Sequence, residues 1–204
     1  SCTRIVAGTP ESLNMALVGG DTKVLKAPGF AATWTGLPQD ATCRATETTI
    51  EYPPLTPTQP DPTVTYSGDA VVGNGTTASF TVTNDFKFGN VQIVKSLAGE
   101  AAAKWGTGTF SFKVECTLAG TAGYVFTRTG ITLTAPNLTS AAIGPIPEGA
   151  DCTVTETNSA GATSVAPGTT VVLKNLPSGT TTAANFTNTF LYAGFTVTKT
   201  VDNG

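Results

Sequence analysis

The chain has 204 residues, a net charge of −3 and only 12% charged residues, against about 25% in typical soluble domains. It contains no histidine, which excludes a Ser-His-Asp triad and any His-ligated metal. It has no basic cluster, so nucleic acid is not an expected partner.

Thr, Ala, Val and 22 glycines with 13 prolines fill the space that charge leaves. β-branched residues broken by Gly and Pro suit an all-β fold with many turns. The Ala101–Lys104 run is too short to count as a helix. Four cysteines, two in each half, are too dispersed for a Cys-x-x-Cys metal site. Paired sparse cysteines in a low-charge β protein point to disulfides and an oxidising compartment. No metal or other cofactor is expected.

The chain repeats itself. Leu37-Pro38-Gln39-Asp40-Ala41-Thr42-Cys43-Arg44-Ala45-Thr46-Glu47-Thr48 returns as Ile146-Pro147-Glu148-Gly149-Ala150-Asp151-Cys152-Thr153-Val154-Thr155-Glu156-Thr157. Thr83-Asn84-Asp85-Phe86 leads to Lys95, and Thr187-Asn188-Thr189-Phe190 leads to Lys199 without a gap. A period of roughly a hundred residues means tandem domains, since solenoid repeats run about 20–50. The expected organisation is a first repeat over 1–90, a complete repeat over 91–190, and an opening strand over 191–204.

In chain order, the first repeat begins at Cys2, the counterpart of Cys116, and so lacks an opening strand with a lysine. Lys23 and Lys26 lie near Gly and Pro without a matching strand. Pro53–Pro62 reads as an extended insertion loop, or as a polyproline ligand for a partner. In the second repeat, strands are expected over Val91–Leu97, Thr109–Leu118, Tyr124–Thr127, Gly130–Leu133, Gly149–Thr157, Thr169–Leu173 and Ala183–Phe190. Phe110, Phe112, Val114 and Cys116 share one face of the second of these. Seven or so short strands between turn signals imply an immunoglobulin-like sandwich, hence tandem immunoglobulin-like β-sandwich domains. Phe195-Thr196-Val197-Thr198-Lys199-Thr200 then opens a further repeat, or donates a strand to a neighbouring molecule.

Strand parity gives the recurring residues their meaning, because alternate residues share a face. Lys95 falls with Val91 and Ile93, Glu156 with Cys152 and Val154, and Asn188 with Phe186 and Phe190. An amine, a carboxyl and a carboxamide therefore meet on core-facing sides. Burial favours the neutral forms of an amine and of a carboxylic acid. Lys95 could then attack the Asn188 side chain and expel ammonia, with Glu156 as the catalytic proton shuttle. The product is an isopeptide bond, made once and without turnover. The alternative left open is a buried Lys–Glu ion pair with Asn188 as a hydrogen-bonding neighbour.

These residues resemble the collagen-adhesin B-type repeats of Gram-positive surface proteins and pilins. The resemblance rests on Val91-Gln92-Ile93-Val94-Lys95, Thr153-Val154-Thr155-Glu156-Thr157 and Asn185-Phe186-Thr187-Asn188-Thr189-Phe190. It implies an immunoglobulin-like fold, an early-strand Lys joined to a late-strand Asn, and a neighbouring catalytic acid. The cysteine-bearing form looks more like repeat domains of actinobacterial surface proteins. Disulfides are not regular in the isopeptide-bearing repeats. Bridges Cys2–Cys43 and Cys116–Cys152 are expected here, one in each repeat. In the first repeat Glu47 and Asn84 lack a lysine, and Lys199 of a neighbouring chain has the right context to bond to Asn84.

Minor signals carry less. Three Asn-x-Thr triplets are expected by chance in a Thr-rich chain, and Leu176-Pro177-Ser178-Gly179-Thr180 is a turn rather than a sortase signal. A Thr–Gln ester is discounted because Gln92 faces away from Lys95, while Gln39 and Gln59 lie in the incomplete repeat. Trp34 and Trp105 are read as core or edge packing. No signal peptide or transmembrane run is visible, so the chain reads as part of a longer precursor without direct membrane insertion, secreted and held at the cell wall or cell surface. The leading expectation is a stalk or fibre repeat of an adhesin or pilus-like assembly, partnered by neighbouring repeats or copies of itself. The alternative is a surface module binding a host protein or glycan. An enzyme acting on an external substrate is not expected.

Overall fold

The computed structural model describes residues 1–25, 30–50, 60–120 and 124–202. Lys26, Gln59 and residues 53–59 of the Pro-rich stretch lie outside them. The chain divides into two units, one of residues 1–51 and 61–85 and one containing everything from Phe86 onward.

The first unit holds β1 (Cys2–Val6), β2 (Thr9–Ser12), a 3₁₀ turn (Met15–Val18), β3 (Thr42–Cys43), β4 (Thr63–Tyr66), β5 (Ala70–Val71) and β6 (Val82–Asp85). Its larger sheet runs β2-β1-β3-β5, while β4 and β6 pair alone. Cys2 stands opposite Cys43 in the β1–β3 ladder, and a disulfide joins them. The core is thin. Cys2 and Ala41 are its buried apolar residues among those described, and Ile5, Leu17, Phe30 and Val71 stay exposed.

The second unit holds β7 (Phe88–Ala98), α1 (Ala102–Trp105), β8 (Thr109–Thr117), β9 (Val125–Thr134), β10 (Ile143–Pro147), β11 (Asp151–Asn158), β12 (Ser164–Ala166), β13 (Thr170–Leu173) and β14 (Thr181–Thr189). Two four-stranded sheets, β10-β7-β14-β12 and β13-β11-β8-β9, pack their apolar faces together as a β-sandwich. Period-2 burial makes the core. Phe110, Phe112, Val114 and Cys116 of β8 meet Val91 and Ile93 of β7, Cys152 and Val154 of β11, and Ala184 and Phe186 of β14. Rings bridge the sheets, with Phe112 and Phe186 centroids 5.3 Å apart.

The first and last strands of this sandwich are neighbours. β7 and β14 run parallel over nine paired positions, from Asn90↔Thr181 to Ala98↔Thr189. A parallel pair cannot close through a hairpin, so this ladder joins residues from opposite ends of the unit. Gly89 lets β7 pass close to the loop before β14, because a Cβ there would run into the Pro177 carbonyl.

Several local expectations need correction. The two short strands expected at Tyr124–Thr127 and Gly130–Leu133 are one strand, β9, whose pairing with β8 slips between Phe112 and Val114. A bulge absorbs what reads in sequence as a break. β10 and β12 were not expected, since Gly144, Pro145 and a Thr-, Gly- and Ala-rich loop hide them. The Ala-rich run does form one helical turn, α1. Trp105 on that turn is 55% exposed rather than packed, with Lys104 over its ring. Trp34 is half-buried and donates its indole N–H to the Gly20 carbonyl.

Candidate functional site

Among the described residues, the core of the second unit contains three buried polar or charged ones, Lys95, Glu156 and Asn188. Each sits in the buried half of an alternating strand: after Val91 and Ile93 in β7, after Cys152 and Val154 in β11, and after Ala184 and Phe186 in β14. Lys95 and Asn188 belong to neighbouring strands of one sheet, with Lys95 opposite Phe186 in the parallel register. Glu156 comes from the facing sheet, where the β11–β8 ladder slips directly after it.

The two nitrogens converge on one oxygen. Lys95 Nζ lies 3.0 Å from Glu156 Oε1, and Asn188 Nδ2 donates to the same atom at 2.9 Å. Asn188 Nδ2 also donates to the Ser159 carbonyl at 3.1 Å. The Lys95 and Glu156 side chains are both fully shielded from solvent, at 0% exposure. Phe110 and Phe186 form the walls, with their ring centroids 5.0 and 5.8 Å from Lys95 Nζ, inside the range of cation–π attraction.

The electrostatics are those of a charge held in a dry place. Desolvation pushes Lys95 below its ordinary value of 10.5, against the opposing pull of Glu156, so its neutral amine becomes more accessible. Satisfaction is incomplete: Glu156 Oε2 and Asn188 Oδ1 are buried without a hydrogen-bond partner. Lys95 Nζ has the Glu156 ion pair and the two rings beside it, but no directed hydrogen bond. Each orphaned buried group costs about 1–3 kcal/mol. Their concentration at one point sets this cluster apart from the rest of the core.

The first unit carries the same pair, with no amine on it among the described residues. Asn84 Nδ2 donates to Glu47 Oε1 at 3.2 Å, and Glu47 Oε2 and Asn84 Oδ1 are buried and unpartnered. Lys23 is occupied elsewhere, donating to the Thr33 carbonyl and lying over the Trp34 ring. Lys199 lies in the exposed segment after β14, outside any strand.

Cys116 and Cys152 stand opposite each other in the β8–β11 ladder and are joined by a disulfide. Reasoning on the sequence missed the Ser159 carbonyl, which lies in the loop after β11. Proximity created by a loop leaves no periodic signal. The aromatic walls were legible as core residues, but not as neighbours of the amine. Among the described residues, no group of three or more His, Cys, Asp or Glu could hold a metal. No described helix is long and apolar enough to cross a membrane.

Comparison with known proteins adds a family. The model of a family described as a domain of unknown function, DUF5979, matches twice, at residues 8–87 and 91–191. No curated protein matches the chain. Among solved structures, the pilus-presented adhesin Spy0125 is 21% identical with a TM-score of 0.36, over 52% of this chain and 28% of that one. An adhesin from Mobiluncus mulieris, described as containing disulfide, isopeptide and ester cross-links, is 18% identical with a TM-score of 0.40, over 57% of this chain and 46% of that one. The major pilin of Streptococcus pyogenes is 15% identical with a TM-score of 0.30, over 64% of this chain and 66% of that one. The chain thus spans less than half the length of either adhesin.

Proposed function

Since the chain belongs to the DUF5979 family, whose description assigns no activity, we propose a function from the site itself. The chain is a load-bearing repeat segment of a bacterial surface adhesin or pilus-like fibre. Its complete sandwich is braced by the Cys116–Cys152 disulfide and by an autocatalytic isopeptide bond between Lys95 and Asn188. The observation that carries this reading is the convergence of Lys95 Nζ and Asn188 Nδ2 on Glu156 Oε1 inside a closed apolar core.

The chemistry follows from the contacts. Lys95 passes a proton to the Glu156 carboxylate it touches, leaving a neutral amine. Nζ attacks the Asn188 Cγ, and a C–N bond forms. Glu156 relays a proton from Nζ to Nδ2, the Cγ–Nδ2 bond breaks and ammonia departs. It leaves as ammonium with the proton that Lys95 brought, and Glu156 returns to carboxylate. The buried ammonium is thereby replaced by a neutral amide. Prior orientation of the reactants supplies most of the acceleration, since effective molarities in such settings reach about 10⁵–10⁸ M. Glu156 adds about 10²–10⁴-fold.

Intact mass, before and after reduction, tests this. The second unit should be lighter by one ammonia after reduction, and the loss should map to a Lys95–Asn188 branched peptide. If only the four disulfide hydrogens are missing, and all return on reduction, Lys95 and Glu156 are a buried ion pair and the isopeptide reading falls.

A further inference from the structure

One loop of the second unit, residues 159–163, reaches the reacting carboxamide. It leaves β11 just after the bulge, where Glu156 stands opposite Phe112 and Asn158 opposite Ser111. It ends against β14, where the Thr163 N–H donates to the Thr189 carbonyl at 2.8 Å. The loop therefore bridges the strand that carries the acid and the strand that carries the carboxamide. Its backbone turns through two left-handed residues, Ala160 at φ 54° and Gly161 at φ 78°.

Asn158 is exposed, yet both ends of its side chain are in use. Nδ2 donates to the Thr109 carbonyl at 3.1 Å, and Oδ1 accepts from the Ala160 N–H at 3.0 Å. The first bond ties the residue to β8. The second makes an Asx turn that holds the backbone of Ser159 between them. The Ser159 carbonyl then accepts twice, from the Ala162 N–H at 3.2 Å and from Asn188 Nδ2 at 3.1 Å. Gly108 leaves room for this turn, because a Cβ there would come within 2.7 Å of the Ala160 Cβ.

The carboxamide nitrogen has two hydrogens, and each has its own acceptor, Glu156 Oε1 at 2.9 Å and the Ser159 oxygen at 3.1 Å. A single acceptor would let the planar group pivot about one hydrogen bond. Two acceptors fix its plane. That plane decides whether Cγ turns its face toward Lys95 Nζ, since a nucleophile approaches a carbonyl carbon from above the plane and not along it. The second acceptor also bears on the leaving step. As the Cγ–Nδ2 bond breaks, the nitrogen becomes an ammonium, and hydrogen bonds from a charged donor are roughly twice as strong as neutral ones. A dipole already aimed where charge develops lowers the barrier.

We propose that the Ser159 carbonyl is a second working part of the cross-linking site, held in place by Asn158 and by the close fit of Ala160 on Gly108. This rests on the isopeptide reading above. The carbonyl orients the Asn188 carboxamide for attack by Lys95 and stabilises the nitrogen as it departs. It forms and breaks no covalent bond and moves no proton, a task that stays with Glu156. Asn158 acts through Ser159 and is a positioning residue.

The test follows the intact mass of the full chain over time after cell-free synthesis, which reads the rate of ammonia loss from Lys95 and Asn188. Gly108→Ala should push Ala160, and with it the Ser159 carbonyl, out of place and slow the loss by about 10²-fold, the cost of a misplacement of about 1 Å. Adding Ala160→Gly removes the clashing methyl and leaves that residue's Cα as the nearest atom, at 3.8 Å. Glycine also adopts the positive φ freely, so the double variant should recover the rate of the unmodified chain. Asn158→Ala should slow the loss by the same order as Gly108→Ala. Urea unfolding of each variant in an Asn188→Ala chain, which cannot cross-link, reports folding apart from chemistry. Should Asn158→Ala fail to fold, the Gly108→Ala and Gly108→Ala/Ala160→Gly chains decide alone. A lowered urea midpoint with an unchanged rate means that the loop is only structural; it overturns this inference and leaves the proposed function standing. A slow Gly108→Ala rate that Ala160→Gly does not restore overturns it as well. An unmodified chain that never loses ammonia overturns both readings.

Discussion

At the scale of single residues, the decisive fact is that Lys95, Glu156 and Asn188 share one desolvated point. Removing the acid should separate chemistry from packing. A Glu156→Gln variant should fold yet retain its ammonia, read as intact mass, because glutamine can hydrogen-bond to Asn188 but cannot take a proton from Lys95. Glu156→Ala should in addition destabilise the unit by about 3–5 kcal/mol, the cost of stranding one member of a buried pair, measured by urea unfolding. The pH response has a definite sign in an Asn188→Ala chain, which cannot cross-link. Folded Lys95 binds its proton less tightly than the ordinary 10.5, so between its lowered value and 10.5 the unfolded state holds more protons. Stability should therefore rise with pH across that window and level off above it. A urea midpoint that is flat or falling through the same range would show that Lys95 is not desolvated.

At the scale of elements, the parallel β7–β14 ladder shows what a bond between these strands would do. Tension on the two ends of the unit pulls neighbouring parallel strands in opposite directions and shears their nine-position ladder. A covalent link between Lys95 and Asn188 would take that load off the hydrogen bonds. Single-molecule pulling should show no unfolding step for the second unit, and Asn188→Ala should restore one. The disulfide acts on different strands, β8 and β11. Reducing Cys116–Cys152 should leave the ammonia deficit unchanged. In the Asn188→Ala chain the same reduction should lower stability by about 2–4 kcal/mol, in the entropic account of loop closure.

At the scale of the whole molecule, the two units share motifs but differ in how much apolar surface they bury. The second unit buries apolar residues from both sheets, whereas the first buries only Cys2 and Ala41 among the described residues. Few buried contacts mean low local stability. Limited proteolysis of monomeric chain should cut the first unit well before the second and leave a resistant fragment beginning near β7.

Much of this was legible in the amino-acid sequence. Alternation along strands separated inside from outside, so the inward facing of Lys95, Glu156 and Asn188 followed from period 2 alone. The repeated Cys–Glu and Asn–Lys phrases aligned the first repeat's Glu47 and Asn84 with Glu156 and Asn188 of the second. Local pattern misjudged what depends on partners. β10 contains Gly144 and Pro145, and β12 spans three residues; both are strands only because β7 and β14 lie beside them. Sequence also could not say that β7 and β14 pair with each other, that Ser159 supplies a carbonyl to Asn188, or that Trp105 faces solvent. Periodicity fixes which side of a strand a residue occupies, because that is a property of the backbone. Which residues from three distant strands meet at one carboxylate oxygen is decided by sheet order and register, which exist only once the chain has folded.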